Sequence, residues 1–271
     1  MKENLCSDTN TARLFRSVLL SRLLLLQRLL GAKYTSIRVR FAGRKLEFTI
    51  PLDYADWALK NLEHVLIDCD YYGIPWAIPK SGHRVLDVGA FLGFYTVSSS
   101  ILTGLSGVVY AVEPNKRILS VLHSNIVVNS ASNTILIPYA VCPSNGFVKL
   151  YIGEYPAVSS TIREHVEYYT SVIESIEVKC VKMSSLLRSI GYLDIVKLDL
   201  EGLEKDILLE SIDELKRVET IVVEVHLDQV DTFEVEEVLY RAGFNEIVEY
   251  TSSEMPDQII VYASKSNKRA E

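Results

Sequence analysis

The stretch Val85–Phe94, with the sequence VLDVGAFLGF, limits the fold of this chain more than any other segment. Its apolar first half is typical of a buried strand, and Gly89 and Gly93 follow where that strand ends. A glycine in such a turn lets backbone or ligand atoms approach closely, because it has no side chain. In open parallel sheets, ligands bind beyond the carboxyl ends of the strands. The stretch therefore predicts a strand, a ligand-binding turn and a helix, in that order.

Strand-like and helix-like segments alternate along the rest of the chain. Near-continuous apolar runs are typical of parallel strands that helices cover on both faces. The pattern predicts an α/β fold with a Rossmann-like, mostly parallel sheet, helices on both faces and an antiparallel last strand. We expect core strands at 84–88, 108–112, 134–141, 193–199 and 219–226, helices at 93–103, 116–129, 203–211 and 231–242, and two closing strands around the turn at 252–256.

The spacing of the glycines also indicates which cofactor the turn receives. A dinucleotide-binding turn carries the pattern G-x-G-x-x-G, whereas this chain has Phe91 in place of the middle glycine. The spacing therefore favours S-adenosylmethionine over NAD. Glu113 ends the second core strand, where a carboxylate accepts hydrogen bonds from the ribose hydroxyls of either cofactor. An NAD-linked oxidoreductase and a non-catalytic nucleoside-binding module stay as alternatives.

The composition limits the partners and the compartment of the protein. The formal net charge of −7 disfavours a nucleic-acid substrate, because a broad phosphate-binding surface needs clustered Lys and Arg. The four cysteines are scattered and form no C-x-x-C pair, so neither a zinc knuckle nor a disulfide framework is indicated. We therefore expect buried, reduced thiols and a cytoplasmic location.

The segment Arg13–Leu30 is rich in leucine but carries arginine at positions 13, 16, 22 and 28. No apolar run in it approaches the ~20 residues that span a bilayer, and no small-residue cleavage site of a signal peptide follows it. The pattern predicts an amphipathic helix. Its leucine face needs cover from the domain, from a second copy of the chain or from a membrane surface, so peripheral membrane association is an alternative location.

Several motifs resemble the FkbM-type S-adenosylmethionine-dependent methyltransferases. They are LDVGAFLGFYT, AVEPN, NIVVN, the upstream IDCDYYGIP and, as the most specific, DIVKLDLEGLEKDIL at Asp194–Leu208. The likeness covers residues 65–225, and the first 60 residues lie outside it. The resemblance implies a class I methyltransferase fold with a seven-stranded sheet and S-adenosylmethionine as the cofactor. It also implies O-methylation of a sugar, a glycan or a related small metabolite.

With the resemblance, the chain divides into three predicted parts. Residues 1–80 comprise the amphipathic helix, a hairpin around residues 42–44 and an aromatic approach segment. Residues 81–265 form the S-adenosylmethionine-binding methyltransferase domain, in which an insertion at 143–183 adds a small β element beside the ligand crevice. Residues 266–271 are a polar tail.

The predicted cofactor site combines the glycine turn with the ends of the next two strands. Asp87 and the turn amides are expected to hold the amino-acid end of S-adenosylmethionine, and Glu113 its ribose. The residues expected to contact the cofactor are Asp87, Gly89, Ala90, Gly93, Phe94, Glu113, Pro114, Asn115, Ala140 and Val141.

An alcohol acceptor needs a general base, because its hydroxyl proton leaves with difficulty. Lys197, Asp199 and Glu201 alternate at the end of the fourth core strand, and Glu224 and His226 alternate at the end of the fifth. In an extended strand, alternate side chains point to the same side. We predict that Asp199, Glu224 and His226 form the catalytic cluster, and that Lys197 pairs with neighbouring carboxylates. No ligand spacing typical of a metal site occurs, so we predict no metal ligands, with a divalent ion between the carboxylates as the alternative.

Overall fold

The computed structural model describes residues 5–6, 18–251 and 257–265, without the side chains of residues 18, 19 and 21. In this part of the chain the strands are β1 (Tyr34–Phe41), β2 (Arg44–Pro51), β3 (Arg84–Val88), β4 (Val108–Val112), β5 (Thr134–Ile137), β6 (Ala140–Cys142), β7 (Gly146–Gly153), β8 (Val172–Lys182), β9 (Leu193–Leu198), β10 (Val218–His226), β11 (Glu246–Thr251) and β12 (Gln258–Ser264). The α-helices are α1 (Val18–Leu29), α2 (Ala55–Leu66), α3 (Phe94–Thr103), α4 (Lys116–Val128), α5 (Arg163–Tyr169), α6 (Met183–Ile190), α7 (Glu204–Ser211) and α8 (Thr232–Arg241).

A seven-stranded sheet forms the centre of the molecule, in the order β11-β12-β10-β9-β3-β4-β5. Strands β10, β9, β3, β4 and β5 run parallel, and β12 lies antiparallel to β10. The chain continues from β3 toward one edge and returns to build the other, so the order reverses between β3 and β9. The carboxyl ends of these two strands border the crevice where such sheets bind ligands. The α/β fold class predicted from the sequence is confirmed.

Helices cover both faces of this sheet. On one face, α2, α3 and α4 pack with the β1–β2 hairpin into a cluster that includes Leu62, Val85 and Leu122. On the other face, α6, α7 and α8 pack against strand residues such as Val88 and Val196. Burial on both sides explains why the core strands are nearly continuous apolar runs. The division of the chain at residue 80 stays a prediction.

The predicted strand at 134–141 is wrong as a single element. Strand β5 ends at Ile137, and the next residue, Pro138, has no backbone N–H to donate to the sheet. Strand β6 pairs instead with β8, in a second sheet of order β6-β8-β7. This three-stranded sheet and α5 contain most of the insertion, and Ala140 and Val141 of β6 line the crevice.

Part of the leucine-rich segment lies outside the described residues, including the arginines at 13 and 16, and the same holds for the tail at 266–271 and the turn at 252–256. In α1, Leu24 is buried, whereas the side chains of its neighbours are exposed at the surface of the described chain. The exposed fractions are 57% for Leu25, 53% for Leu26 and 75% for Leu29. None of the helices that the structure describes is long and apolar enough to cross a membrane.

The expectation of reduced thiols is wrong. The structure pairs Cys6 with Cys69 and Cys142 with Cys180 in disulfides. The members of the two pairs are 63 and 38 residues apart in sequence, so their spacing could not show that they are neighbours in space. Disulfides are typical of oxidising compartments. The cytoplasmic location stays a prediction, and it can no longer be argued from reduced cysteines.

Candidate active site

The glycine turn brings the ends of β3 and β9 into very close contact. Gly89 has a φ of +81°, and a Cβ atom at this position would lie 2.1 Å from the carbonyl oxygen of Asp199. A side chain therefore cannot be placed there without moving one of the two strand ends. Gly93 has a φ of +88°, and its Cβ would lie 2.3 Å from Cδ1 of Leu122, so this glycine lets α3 pack on α4. Gly89 itself lines the crevice.

Glu113 is bonded to the backbone through both of its carboxylate oxygens. Oε2 accepts a hydrogen bond from the N–H of Phe91 at 3.0 Å, and Oε1 accepts one from the N–H of Asn115 at 2.8 Å. Burial raises the pKa of Glu113 to about 7 despite these two donors. The side chain lines the crevice, and each oxygen has a second lone pair for a ribose hydroxyl. The two backbone donors thus orient the carboxylate of Glu113 for the predicted hydrogen bonds with the ribose hydroxyls.

The crevice has an apolar and a polar part. Its apolar lining comes from the end of β4, from β6 with the residue before it, and from the insertion, and includes Val112, Pro114, Tyr139, Ala140, Val141, Leu150 and Val158. Its polar lining comes from strand ends and from the insertion loop, and includes Glu113, Ser159, Ser160, Asp199, Glu201 and Glu224. An apolar surface next to an oriented carboxylate suits an adenine base and its ribose. The residues present therefore fit S-adenosylmethionine.

Half of the ten predicted cofactor residues line this crevice. They are Gly89, Glu113, Pro114, Ala140 and Val141. The others, Asp87, Ala90, Gly93, Phe94 and Asn115, are in the turn or in buried contacts around it. Asp87 accepts a hydrogen bond from the hydroxyl of Thr96, and the side chain of Asn115 caps α4 by accepting one from the N–H of Arg117 at 3.0 Å. A direct cofactor contact by any of the ten stays a prediction.

A buried lysine compensates the negative charge at the ends of β3 and β9. Nζ of Lys197 donates to Oδ2 of Asp199 at 2.9 Å and to the carbonyl oxygen of Gly89 at 2.9 Å, and it lies 3.6 Å from Oδ1 of Asp87. Burial alone would lower the pKa of Lys197, but the carboxylates of Asp199 and Asp87 raise it above its usual range. Lys197 is therefore charged, and its predicted ion pairs are confirmed.

The structure brings the three predicted catalytic side chains together. One oxygen or nitrogen atom from each of Asp199, Glu224 and His226 lies within 4.8 Å of the other two. Oε2 of Glu224 is occupied, because it accepts a hydrogen bond from the hydroxyl of Tyr71 and lies 3.3 Å from Nε2 of His64. Oδ1 of Asp199 has no hydrogen-bond partner within the described chain, and Asp199 lines the crevice. The catalytic role of the three residues stays a prediction.

His226 also belongs to a second group of buried polar side chains, which includes His165, a residue not predicted from the sequence. Its Nδ1 lies 3.0 Å from Oε1 of Glu204, and its Nε2 lies 3.3 Å from Oε2 of Glu201. His165 of α5 places its Nε2 2.7 Å from the same Glu201 oxygen and its Nδ1 2.9 Å from Oδ2 of Asp228. No local motif in the insertion marks His165, because its partners come from the distant ends of β9 and β10.

Comparison with known proteins identifies a family. The family model described as methyltransferase FkbM domain matches residues 87–246, from the end of β3 to the start of β11. A probable cobalt-precorrin-6B C(15)-methyltransferase (decarboxylating) from Saccharolobus solfataricus is 33% identical over 85 residues, which cover 31% of this chain and 36% of that protein. The chain thus spans about a third of the length of the curated relative that it matches.

Two solved structures are similar to the chain at low sequence identity. A SAM-dependent O-methyltransferase from Thermotoga maritima is 14% identical, with a TM-score of 0.48, over 87% of this chain and 79% of that chain. Fibrillarin from Aeropyrum pernix, in complex with natively bound S-adenosyl-L-methionine, is 13% identical, with a TM-score of 0.44, over 86% of this chain and 84% of that chain.

Proposed function

Because this chain belongs to the FkbM methyltransferase family, whose cofactor is S-adenosylmethionine, we propose that it methylates a hydroxyl oxygen of a sugar, a glycan or a related small metabolite. The observation that carries the proposal is the position of Asp199. Its Oδ1 has no hydrogen-bond partner in the part of the chain that the structure describes, and the residue lies on the crevice wall beside the glycine turn. The alternative of an NAD-linked oxidoreductase is disfavoured by Phe91, which takes the place of the middle glycine.

In this proposal the glycine turn and Glu113 hold the cofactor. When bound, S-adenosylmethionine supplies an electrophilic methyl carbon, whose bond to sulfur breaks as the acceptor oxygen bonds to it. Glu113 accepts hydrogen bonds from the ribose hydroxyls, because its two oxygens are already oriented by backbone N–H groups. The side chains of Tyr139 and Val141, which line the crevice, would cover the base and exclude water from it.

Asp199 takes the proton of the acceptor hydroxyl in the same proposal. Oδ2 of Asp199 is held by Lys197, which leaves Oδ1 as the accepting atom. Glu224 is less suited to this task, because Tyr71 and His64 already bind its Oε2. His226 is also less suited, because its side chain is fully buried.

The remaining crevice lining supports a sugar or glycan as the acceptor. Trp57 stacks on Tyr155 with ring centroids 4.8 Å apart, and Nζ of Lys60 lies 4.9 Å from the centroid of the Trp57 ring. Trp57, Lys60 and Asn61 all line the crevice. Aromatic faces pack against the apolar faces of sugar rings, while amide and ammonium groups bond to sugar hydroxyls. The net charge of −7 supports an acceptor other than nucleic acid.

The test is methyl transfer from labelled S-adenosylmethionine to purified sugars, glycans and RNA, with the products identified by mass spectrometry. Asp199→Asn should lower turnover about 100-fold or more, the scale of a lost general base, while S-adenosylhomocysteine affinity stays within a few fold. Asp213→Asn, an exposed carboxylate, is the matched control. Turnover of Asp199→Asn at the parent rate would remove Asp199 from the reaction, and labelling of RNA instead of sugars would contradict the proposed acceptor.

A further inference from the structure

We propose that His165, His226 and Glu201 bind a divalent transition-metal ion at the wall of the crevice. The Nε2 atoms of the two histidines lie 2.7 Å and 3.3 Å from Oε2 of Glu201, and one potential ligand atom from each of the three residues lies within 4.8 Å of the other two. Metal–ligand bonds of about 2.0–2.1 Å in a tetrahedral site place neighbouring ligand atoms about 3.3 Å apart. Two imidazoles and one carboxylate are a ligand set for zinc, iron, cobalt or nickel.

Each of the two histidines is oriented by a second carboxylate. Nδ1 of His226 lies 3.0 Å from Oε1 of Glu204, and Nδ1 of His165 lies 2.9 Å from Oδ2 of Asp228. Metal-binding histidines are held in this way, because a hydrogen bond from Nδ1–H leaves the Nε2 lone pair for the metal. The two imidazoles thus present the same nitrogen to the same oxygen of Glu201.

A buried nitrogen in this group supports a ligand independently of the pairwise distances. Nε2 of His226 makes no hydrogen bond within the described residues, although the side chain is fully buried and Oε2 of Glu201 lies 3.3 Å away. Buried polar atoms normally have a partner, and those without one call for an explanation. Oδ1 of Asp199 lies 4.0 Å from this nitrogen and is also without a partner in the same part of the chain. Asp199 and Glu201 both line the crevice, so the group borders it.

The charge of the group also favours a cation. Three carboxylates, those of Glu201, Glu204 and Asp228, surround only two imidazoles, so the group keeps a net negative charge even when both imidazoles are protonated. Lys197 is already paired with Asp199 and Asp87. A divalent ion would supply the charge and, if the proposed function holds, would lie where it could bind the acceptor oxygen and ease loss of its proton.

Metal binding can be tested without the cofactor or the acceptor, using the full chain and Co²⁺ as the probe. Equilibrium dialysis should show one bound equivalent, and the complex should have the visible absorption of cobalt with nitrogen ligands. His165→Ala and Glu201→Gln should each weaken Co²⁺ binding about 100-fold or more, and Asp228→Asn about 10- to 100-fold. His123→Ala, an exposed histidine on α4, is the matched control and should bind Co²⁺ as the parent does.

Circular dichroism and S-adenosylhomocysteine binding show whether each variant is folded. A parent protein that binds Co²⁺ no better than folded His165→Ala would overturn the proposal and leave the group as an ion-pair network. A second measurement needs no variant: anomalous diffraction from parent crystals soaked with Zn²⁺ should give a peak bonded to His165, His226 and Glu201. A peak elsewhere, or none, overturns the site. Neither outcome touches the proposed methyl transfer, because neither measurement uses the methyl donor.

Discussion

Gly89 can be tested by the smallest substitution, because the space beside it is occupied by backbone. Gly89→Ala should lower the free energy of unfolding by about 2–4 kcal/mol and abolish S-adenosylhomocysteine binding, since the new Cβ meets the carbonyl oxygen of Asp199. Gly43→Ala is the matched control, because Gly43 has a similar φ of +74° but nothing within 4 Å of its Cβ position. Equal losses of stability in denaturant titrations of the two variants would show that backbone strain alone is responsible.

Glu113 should account for much of the cofactor affinity. Glu113→Ala is expected to weaken S-adenosylhomocysteine binding by roughly 2–4 kcal/mol, because two ribose hydroxyls lose a charged acceptor. Isothermal titration calorimetry measures the effect, and Glu177→Ala, an exposed glutamate on β8, is the control. A folded Glu113→Ala variant with the parent dissociation constant would place the ribose elsewhere.

The raised pKa of Glu113 predicts a pH dependence of cofactor affinity. Burial holds the pKa of Glu113 at about 7 in the free protein, and the ribose hydroxyls donate to its ionised form, so binding lowers that pKa and releases a proton. Affinity should therefore fall as pH falls through 7, by about tenfold between pH 8 and pH 6. The number of protons released on binding can be measured by calorimetry, from the change of the binding enthalpy with the ionisation enthalpy of the buffer. The effect should vanish in Glu113→Ala, and a flat profile in the parent contradicts this assignment.

At the scale of single elements, α1 exposes leucines that nothing in the described chain covers. We propose that an anionic membrane surface covers them, because Arg22 and Arg28 lie among the exposed leucines on the same helix. Sedimentation with anionic vesicles should bring down the parent protein but not the double variant Leu25→Glu/Leu29→Glu. The parent and the double variant both keep the disulfide between Cys6 and Cys69, whereas truncating the chain through this segment would remove Cys6.

The control for this experiment is Ile173→Glu, which changes an exposed apolar residue of β8 outside the helix. It should sediment with vesicles as the parent does. If the parent stays in solution but forms a dimer that Leu25→Glu/Leu29→Glu prevents, a second copy of the chain covers the leucines instead. Light scattering measures that outcome.

Elements with a strong local pattern could be predicted from the sequence. Strands β3 and β4 have the expected bounds, because apolar runs that end at turn residues leave few alternatives. The error at 134–141 has a local cause in Pro138, which ends β5 although the apolar run continues into β6. A proline inside a predicted central strand is a signal for such a break.

At the scale of the whole molecule, the two disulfides should contribute to stability. Reduction should lower the free energy of unfolding by about 2–4 kcal/mol for each bond, because it removes a cross-link that restricts the unfolded chain. Scanning calorimetry with and without dithiothreitol measures the change. The double variant Cys142→Ser/Cys180→Ser should lose only the part due to its own bond, and a parent melting temperature unaffected by reduction would contradict the contribution.

The residues of the candidate site that lie at the ends of strands could be predicted from the sequence. Glu113 and Asp199 follow parallel strands that lie near the reversal of strand order, so their place on the crevice wall follows from the fold. His165 could not be found in this way, because an insertion returns to the sheet along a path that no periodic pattern specifies. The same holds for the cysteine pairs, whose members are distant in sequence.

The contact of His165 with Glu201 and Asp228 has a consequence for the evolution and engineering of this protein. A loop that only covers a pocket can be exchanged between relatives to alter specificity. Here the insertion contributes a side chain to the polar group at the sheet, so a chimera that receives a foreign insertion loses that group unless the histidine is transplanted with it. The insertion and the strand ends that carry Glu201 and Asp228 must therefore diverge together. A designer who wants a new acceptor should recombine them as one unit.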